Sequence, residues 1–384
     1  MIIVISNRNV QSQYNDERIF GNSTSDEGLK LAEFHYLVQQ IDDEFDWDVT
    51  DDFDDGEPEE TWQPTVYSSG QEHQLFEKLV NSILEGRDGA GRPWLMFLHG
   101  NNQDMRSNLV KCRKLKQIHD VNVIAFSWPS QPHTFVQNAK RAARDMLSPL
   151  DIKHIIEKSS PGPAAMGFSF FKELAKKKKQ DYEEAKVRAI ATAPKFVKAL
   201  TLIKTNLIDK LAANGKTIDF SLLVHSLGNH VFENTQFPSN GSLNGLFTNV
   251  IMHQADVHST GHSQWIAERM LGIGKNAYVT VNYYDWVLWL SSLANEQDRL
   301  GMSRQELSAP NTTYFDMTEG VNVDNRHNFF HMKKMQNPAI NGLFNHLLRS
   351  QSDLNYNQLG FEKSPIGDHV YKLRELATDE DWGD

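Results

Sequence analysis

Short apolar runs alternate along this chain with longer segments of helical period, and this alternation limits the possible fold more than any other sequence feature. The runs are rich in Val, Ile and aromatic residues, as strands covered on both faces require. Predicted strands cover residues 2–6, 94–98, 121–127, 220–225, 250–253, 278–283 and 313–315, and predicted helices cover residues 72–84, 196–211 and 339–348. The alternation predicts an α/β fold, with a mainly parallel sheet flanked by helices.

The composition is that of a globular protein with a sizeable core, because 39% of the 384 residues are hydrophobic and 23% are charged. We predict one α/β domain over residues 1–384, since folds of this class reach such lengths through insertions. No apolar run is long enough to cross a bilayer, and the N-terminal residues lack the basic region of a signal peptide. The single cysteine, Cys112, excludes an intrachain disulfide and favours a reducing compartment, so we expect a cytoplasmic protein.

Two segments interrupt the alternation, and their charges are opposite. Residues 42–60 carry twelve acidic residues and no basic one, which predicts an exposed acidic loop insert. Residues 131–180 carry ten basic residues against four acidic ones. We interpret this second segment as a helical lid insert. The net charge of −11 argues against nonspecific binding to nucleic acid.

Apolar and basic side chains occur together in the second insert, where Met166, Phe168, Phe170 and Phe171 precede four lysines at residues 176–179. A lid with these side chains would shape access to an active site and could contact an anionic membrane surface. The alternative is that the aromatic residues pack on the core while the lysines form a solvated face.

The strongest functional motif is FSLLVHSLGN at residues 220–229, in which a predicted strand runs into Ser226. In the nucleophile elbow, G-x-S-x-G, a strained turn between strand and helix presents a serine hydroxyl at the edge of the sheet. Gly228 keeps the last position of that pattern, whereas Val224 replaces its first glycine. We predict that Ser226 is a nucleophile, although a serine two residues before a glycine also arises often by chance.

A second motif, LHGNN at residues 98–102, also ends a predicted strand. Hydrolases of the α/β type place one backbone N–H of the oxyanion hole there, and we assign it to Asn101. The second N–H is assigned to Leu227, the residue after the nucleophile. Gly100 lets the backbone approach a substrate. An ordinary strand-ending turn is the alternative, because Gly-Asn is common turn chemistry.

An acid and a base must follow the serine, in the chain order of this fold. Asp285 follows the predicted strand at residues 278–283, and Asp256, after the preceding strand, is its competitor. Asp285 could instead be a surface aspartate or a helix N-cap. For the base we favour His327 over His331, because His327 lies nearer the loop from which the base should extend; a polar surface histidine is the alternative for both.

Several of these motifs resemble those of a known family, the α/β-hydrolases of the domain-of-unknown-function 900 type. The matching marks are LHGNN at residues 98–102, FSWPS at 126–130, HSLGN at 225–229, Ala-Asp-Val at 255–257, and a late histidine followed by aromatic residues at 327–330. The resemblance implies an α/β-hydrolase fold and a serine hydrolase with a Ser-Asp-His triad, here Ser226, Asp285 and His327. It says little about the substrate.

The expected substrate is a carboxylic ester, with lipid-like esters as the favoured case, although thioesters and amides pass through the same kind of oxyanion. We predict no metal or cofactor and identify no partner protein. A metal-dependent hydrolase is one rival, because His253, Asp256, His258 and His262 lie close in sequence, but their spacing matches no established metal site. The other rival is an interaction protein that keeps a hydrolase scaffold and binds partners through its charged inserts.

Overall fold

The computed structural model describes residues 1–25, 28–36, 62–68, 70–87, 91–130, 168–305, 307–332, 336–351 and 355–374. For residues 168–178, 180 and 181 only the backbone is described. The predicted acidic loop at residues 42–60 and the greater part of the predicted lid, residues 131–167, lie outside the described residues.

A large sheet runs through the described residues, and a separate pair of strands, β2 and β3, lies outside it. The strands are β1 (Ile2–Ser6), β2 (Arg8–Val10), β3 (Phe20–Thr24), β4 (Lys30–Tyr36), β5 (Trp62–Tyr67), β6 (Trp94–Leu98), β7 (Asn122–Ser127), β8 (Phe220–His225), β9 (Phe247–His253), β10 (Gly274–Val281), β11 (Thr312–Asp316), β12 (Phe361–Lys363) and β13 (Val370–Leu373). Neighbours in the order β13-β11-β10-β9-β8-β6-β7-β1 are parallel. Antiparallel strands extend both edges, with β12 beside β13 and β4-β5 beside β1.

Helices cover both faces of this sheet. They are α1 (Glu72–Leu84), α2 (Met105–His119), α3 (Phe168–Ile203), α4 (Asp209–Ala213), α5 (Gly228–Glu233), α6 (His262–Ile273), α7 (Trp286–Asn295) and α8 (Pro338–Leu348). A π-helical turn, Lys204–Ile208, joins α3 to α4, and 3-10 turns lie at Glu17–Ile19 and Leu300–Met302. The protein is thus an α/β protein with a mostly parallel central sheet flanked by helices, as predicted.

The core has two layers because successive strand residues point to opposite faces. Ile3 and Met96 pack with apolar residues of α1, α3, α5 and α6. Ile2 and Leu95 pack on the other face with apolar residues of α2 and α8. Helix α7 belongs to neither layer: its Trp289 forms a small third cluster. None of the described helices is long and apolar enough to cross a membrane.

The order of the strands creates a topological switch point beside the middle of the sheet. From β6 the chain continues through α2 on one face, whereas from β8 it continues through α5 on the opposite face. Because β6 and β8 are neighbours, the chain leaves their carboxyl ends toward opposite faces, and such a switch point is where α/β proteins commonly bind their ligands. Residues 98–102 and 225–229, the two predicted motifs, lie at these two strand ends.

The structure confirms the predicted strands and corrects one helix. Strands β1, β6 and β8 have the predicted bounds, and the other predicted strands differ at their ends. The predicted helix at residues 196–211 is only the end of a helical segment that begins at Phe168 and passes through Pro194. Residues 168–180 of the predicted lid therefore continue directly into a helix that packs on the core. The buried alanines at 185, 189 and 193 extend its apolar stripe toward the N-terminus.

Candidate active site

Ser226 directly follows β8 and has a left-handed backbone conformation, with φ of +53°. A residue with a Cβ destabilises the chain by about 1–2 kcal/mol in this conformation, so surrounding contacts must hold it. The N–H of Ser226 donates to the carbonyl of His253, 3.0 Å away. The Ser226 carbonyl accepts from the N–H groups of Asn229, at 3.0 Å, and Asp256, at 3.2 Å. The strained turn is thus held by β9 and by the start of α5.

The LHGNN loop lies directly against this turn. A Cβ atom at Gly100 would lie 2.6 Å from Cβ of Ser226 and 3.2 Å from its Oγ, which is closer than side chains tolerate. At Gly228 a Cβ atom would lie 2.7 Å from the carbonyl oxygen of His99. The two glycines therefore allow the loop and the turn to touch, and they place Asn101 beside the nucleophile turn.

The two predicted oxyanion donors are the backbone N–H groups of Asn101 and Leu227. Leu227 follows the serine at the start of α5, and Asn101 follows Gly100. Among the described residues, neither N–H donates to another group. Both N–H groups therefore remain able to donate to a ligand, and their assignment as oxyanion donors stays a prediction.

His327 and Asp285 form a buried pair at the same edge of the sheet. The Nδ1–H of His327 donates to Oδ2 of Asp285 at 2.6 Å, and the side chains are 5% and 0% exposed. The other oxygen of Asp285, Oδ1, accepts from the N–H groups of Val287 and Leu288 and so caps α7. With its proton on Nδ1, His327 leaves Nε2 as an acceptor, and that atom is buried without a hydrogen-bond partner among the described residues. This tautomer is the one a general base needs.

Ser226 and His327 do not form a hydrogen bond in this structure, because Nε2 of His327 has no partner. They are connected through His225, the residue before Ser226, whose Nε2–H donates to the carbonyl of His327 at 3.3 Å. The rings of His225 and His327 are 5.0 Å apart. Catalytic hydrogen bonds often tighten only when substrate binds, so this geometry suits a serine and base before that step.

Three further histidines near this edge of the sheet are buried and favour the neutral form. His225, His253 and His331 are buried, and burial lowers the pKa of each well below its usual value. Nδ1 of His253 lies 2.7 Å from Oγ1 of Thr280. Because these rings stay neutral, they add no positive charge next to His327. His331 is not the histidine that pairs with Asp285.

Asp256, the competing acid, has different partners. Its Oδ1 accepts from the hydroxyl of Ser291 at 2.7 Å and lies 3.5 Å from Nε of Arg299, in an ion pair whose side chains are both almost fully buried. Burial and the nearby Asp256 charge raise the pKa of Tyr182 well above its usual value. The structure therefore brings Asp285 to His327, and it directs the carboxylate of Asp256 toward Arg299.

Comparison of the chain with protein-family profiles, curated proteins and solved structures gave no match. The resemblance drawn from the short motifs therefore stays a prediction.

The histidines and the aspartate at residues 253–262 do not form a metal site in the described part of the chain. His253 lies beside Thr280, and Nδ1 of His262 lies 2.5 Å from the carbonyl of Ser259, while its Nε2 lies 2.8 Å from the hydroxyl of Tyr314. Across the described part of the chain, no group of three His, Cys, Asp or Glu side chains could hold a metal ion.

Sequence reasoning gave no role to His99 or Trp128, although both lie in motifs that it singled out. Their rings stack in the structure, with centroids 5.6 Å apart and planes 9° from parallel. Trp128 is the middle residue of FSWPS. FSWPS and LHGNN both end predicted strands, and this was the signal that the two motifs could lie side by side, as they do at the ends of β7 and β6.

Proposed function

We propose that this chain is a serine hydrolase with the α/β-hydrolase fold, which cleaves a carboxylic ester through an acyl-enzyme intermediate. The buried pair of Asp285 and His327, with Nε2 of the histidine unoccupied beside the strained Ser226 turn, carries this proposal. The three residues follow strands of one parallel sheet in the order Ser, Asp, His. That order is the one used by α/β-hydrolases.

The proposed reaction has two steps. Ser226 Oγ attacks the ester carbonyl while Nε2 of His327 takes its proton, and Asp285 stabilises the resulting imidazolium. The N–H groups of Asn101 and Leu227 donate to the oxyanion of the tetrahedral intermediate. His327 then protonates the departing alcohol, and a water molecule, activated by the same histidine, releases the acid from Ser226.

We also propose that the basic insert at residues 131–180 borders the entrance to this site and favours lipid-like esters. Helix α3, whose first residues belong to that insert, packs against α5 and α7, the helices that follow Ser226 and Asp285. The Nζ group of Lys186 on α3 donates to Oδ1 of Asn295 at the end of α7, 2.9 Å away. If the insert contacts anionic lipid, binding of the protein to anionic vesicles falls as salt is added.

A fluorophosphonate probe tests the proposal. We expect the wild-type protein to be labelled at Ser226, as located by peptide mass spectrometry, and to hydrolyse esters in a panel graded by acyl length. Ser226→Ala should lose both labelling and hydrolysis, whereas Ser242→Ala, at an exposed serine, should keep both. A folded wild-type protein that neither reacts with the probe nor cleaves esters would contradict the proposal and favour an interaction protein on this scaffold.

A further inference from the structure

His99 and Trp128 form a buried pair that the proposed reaction does not use. His99 directly follows β6 and precedes Gly100, while Trp128 directly follows β7. Both side chains are 0% exposed. Burial of an imidazole nitrogen without a hydrogen bond is costly, and both ring nitrogens of His99 have partners.

The two ring nitrogens of His99 have different partners, and these decide where the proton lies. Nε2 is 3.1 Å from the backbone N–H of Trp128, which can only donate. Nε2 therefore accepts, and the single proton of the neutral ring is on Nδ1. Nδ1–H donates to the carbonyl oxygen of Gly100, 2.8 Å away.

The neutral form of this ring is strongly favoured. Burial lowers the pKa of His99 well below its usual value, and the positive charge of Arg8 lowers it further. A proton on Nε2 would also face the N–H of Trp128. The neutral ring with its proton on Nδ1 is thus the favoured state of His99.

The carbonyl that His99 holds belongs to the same peptide group as the N–H of Asn101. In a trans peptide these two groups point in opposite directions within one plane, so fixing the carbonyl also fixes the N–H. We infer that His99 is a positioning residue for the oxyanion hole, which orients the N–H of Asn101 by holding the carbonyl of Gly100. This inference rests on the proposed function, because it assigns a partner to a donor of that mechanism.

Trp128 holds His99 from two sides. Its backbone N–H donates to the ring, and its indole Nε1–H donates to the carbonyl of His99 at 2.8 Å. Rotation of the ring would break the bond from the Trp128 backbone, and displacement of the His99 backbone would break the bond from the indole. This arrangement gives the FSWPS motif a part in the site, since it fixes the tautomer that LHGNN uses.

Two substitutions separate the two hydrogen bonds of the His99 ring, the one from Nδ1 to the Gly100 carbonyl and the one from the Trp128 N–H to Nε2. In His99→Asn the side-chain amide takes the place of Nδ1 and keeps a donor for the carbonyl of Gly100. In His99→Gln the amide takes the place of Nε2, keeps a partner for Trp128 and loses that donor. We expect kcat of His99→Gln to fall by about 10- to 100-fold with KM nearly unchanged, whereas His99→Asn stays within about fivefold of the wild type.

A merely structural role predicts a different pattern. Each variant loses one ring contact, so a structural role lowers thermal stability and kcat similarly in both, and it gives no selective loss in His99→Gln. Because His99 stays neutral, its loss should lower kcat by the same factor at every pH and leave the shape of the pH profile unchanged. Equal losses of kcat in the two variants, or a greater loss in His99→Asn, would overturn the inference.

Nitrogen NMR of the wild-type protein gives a readout that is independent of turnover. The inference requires a protonated Nδ1 and an unprotonated Nε2 on His99, and an amide resonance of Asn101 that shifts more in His99→Gln than in His99→Asn. The opposite tautomer overturns the inference while leaving the proposed function intact. A wild-type protein without labelling at Ser226 overturns the proposed function, and this inference fails with it.

Discussion

Asp285 holds His327 with one carboxylate oxygen while its other oxygen caps helix α7. Oδ2 lies 2.6 Å from Nδ1 of His327, and Oδ1 accepts from the N–H of Val287 at 2.9 Å and of Leu288 at 3.0 Å. Sequence reasoning set the helix cap against a catalytic part as alternatives, but one buried carboxylate serves both contacts. The cap also orients the carboxylate, since three donors fix its plane.

Asp285→Asn separates these two contacts. Asparagine is as good an N-cap as aspartate, so α7 and the fold should persist. The amide cannot stabilise an imidazolium or enforce the same tautomer, and we expect kcat to fall by about 10³- to 10⁴-fold. Ester hydrolysis together with circular dichroism of the variant measures both effects. A kcat within tenfold of the wild type would remove Asp285 from the mechanism.

Asp256→Asn should show the reverse pattern. It leaves the buried Arg299 without its counter-ion, and breaking a buried pair typically destabilises a protein by about 3–5 kcal/mol. Because the wild-type carboxylate of Asp256 contacts Arg299 and Ser291 and not His327, the variant should keep most of the wild-type kcat per folded molecule. Denaturant unfolding and active-site titration check this. A stable but inactive Asp256→Asn would move the acid to that residue.

The left-handed conformation of Ser226 predicts a difference between two inactive variants. Glycine adopts a φ of +53° without the penalty of a Cβ atom, whereas alanine keeps that penalty. We expect Ser226→Gly to be more stable than Ser226→Ala by about 1 kcal/mol in denaturant unfolding, while neither hydrolyses esters. Equal stability of the two variants would show that the turn relaxes without strain.

Gly100→Ala should damage the site, because its new Cβ would lie 2.6 Å from Cβ of Ser226. Displacement of the loop and the serine should lower stability by about 1–3 kcal/mol. It should also lower kcat by about 100-fold, since small misplacements of reacting groups are that costly. Gly91→Ala is the matched control, because a Cβ there has no atom within 4 Å. Normal kcat in Gly100→Ala would contradict the close contact.

Buried neutral histidines predict a loss of stability in acid. Burial lowers the pKa of His119 from 6.5 to about 4. The unfolded chain therefore takes up this proton near pH 6.5 and the folded chain near pH 4, so the contribution is complete above pH 6.5 and lost as the pH falls toward 4. The loss from this residue is about 3 kcal/mol.

His119→Gln tests that assignment. The glutamine amide can donate to the carbonyl of Phe330, which accepts from Nε2 of the histidine at 2.7 Å, but it does not titrate. The free energy of unfolding of the variant, measured in urea, should decrease less steeply below pH 6.5 than that of the wild type. Part of the decrease in the free energy of unfolding with falling pH should remain in the variant, because His99, His225, His253 and His331 are buried too. Identical slopes would show that His119 titrates normally in the folded state.

The central strands could be predicted because they are buried on both faces and so are apolar throughout, as Trp94–Leu98 shows. The edge strands could not, since Trp62–Tyr67 is partly exposed and contains Pro64, which disfavours a strand assignment. The start of α3 at Phe168, well before the predicted start at residue 196, could not be predicted either. Pro194 suggests a helix boundary, and the alanines that pack before it give only a weak hydrophobic signal.

The order of motifs in the chain was enough to predict the contact between Asp285 and His327, whereas a contact of Ser226 with His327 stays a prediction. Ser226, Asp285 and His327 each follow a strand, and parallel strands end at the same edge. The contacts of His99 and Trp128 could not be predicted, because hydrogen bonds between loops leave no periodic pattern in a sequence. The lid, the ester substrate and a cytoplasmic location stay predictions.

The bonds that hold Ser226 in its strained turn come from outside its own strand. Its N–H donates to His253 at the end of β9, and its carbonyl accepts from Asp256 after that strand as well as from Asn229 in α5. Strand β9 joins the sheet only when the chain has continued beyond α5, so a nascent chain that has made β8 alone, or a molecule in which β9 has locally opened, lacks two of these three bonds. The strained conformation of Ser226 is therefore complete only after tertiary assembly, and under the proposed function partly folded molecules would not react at this serine.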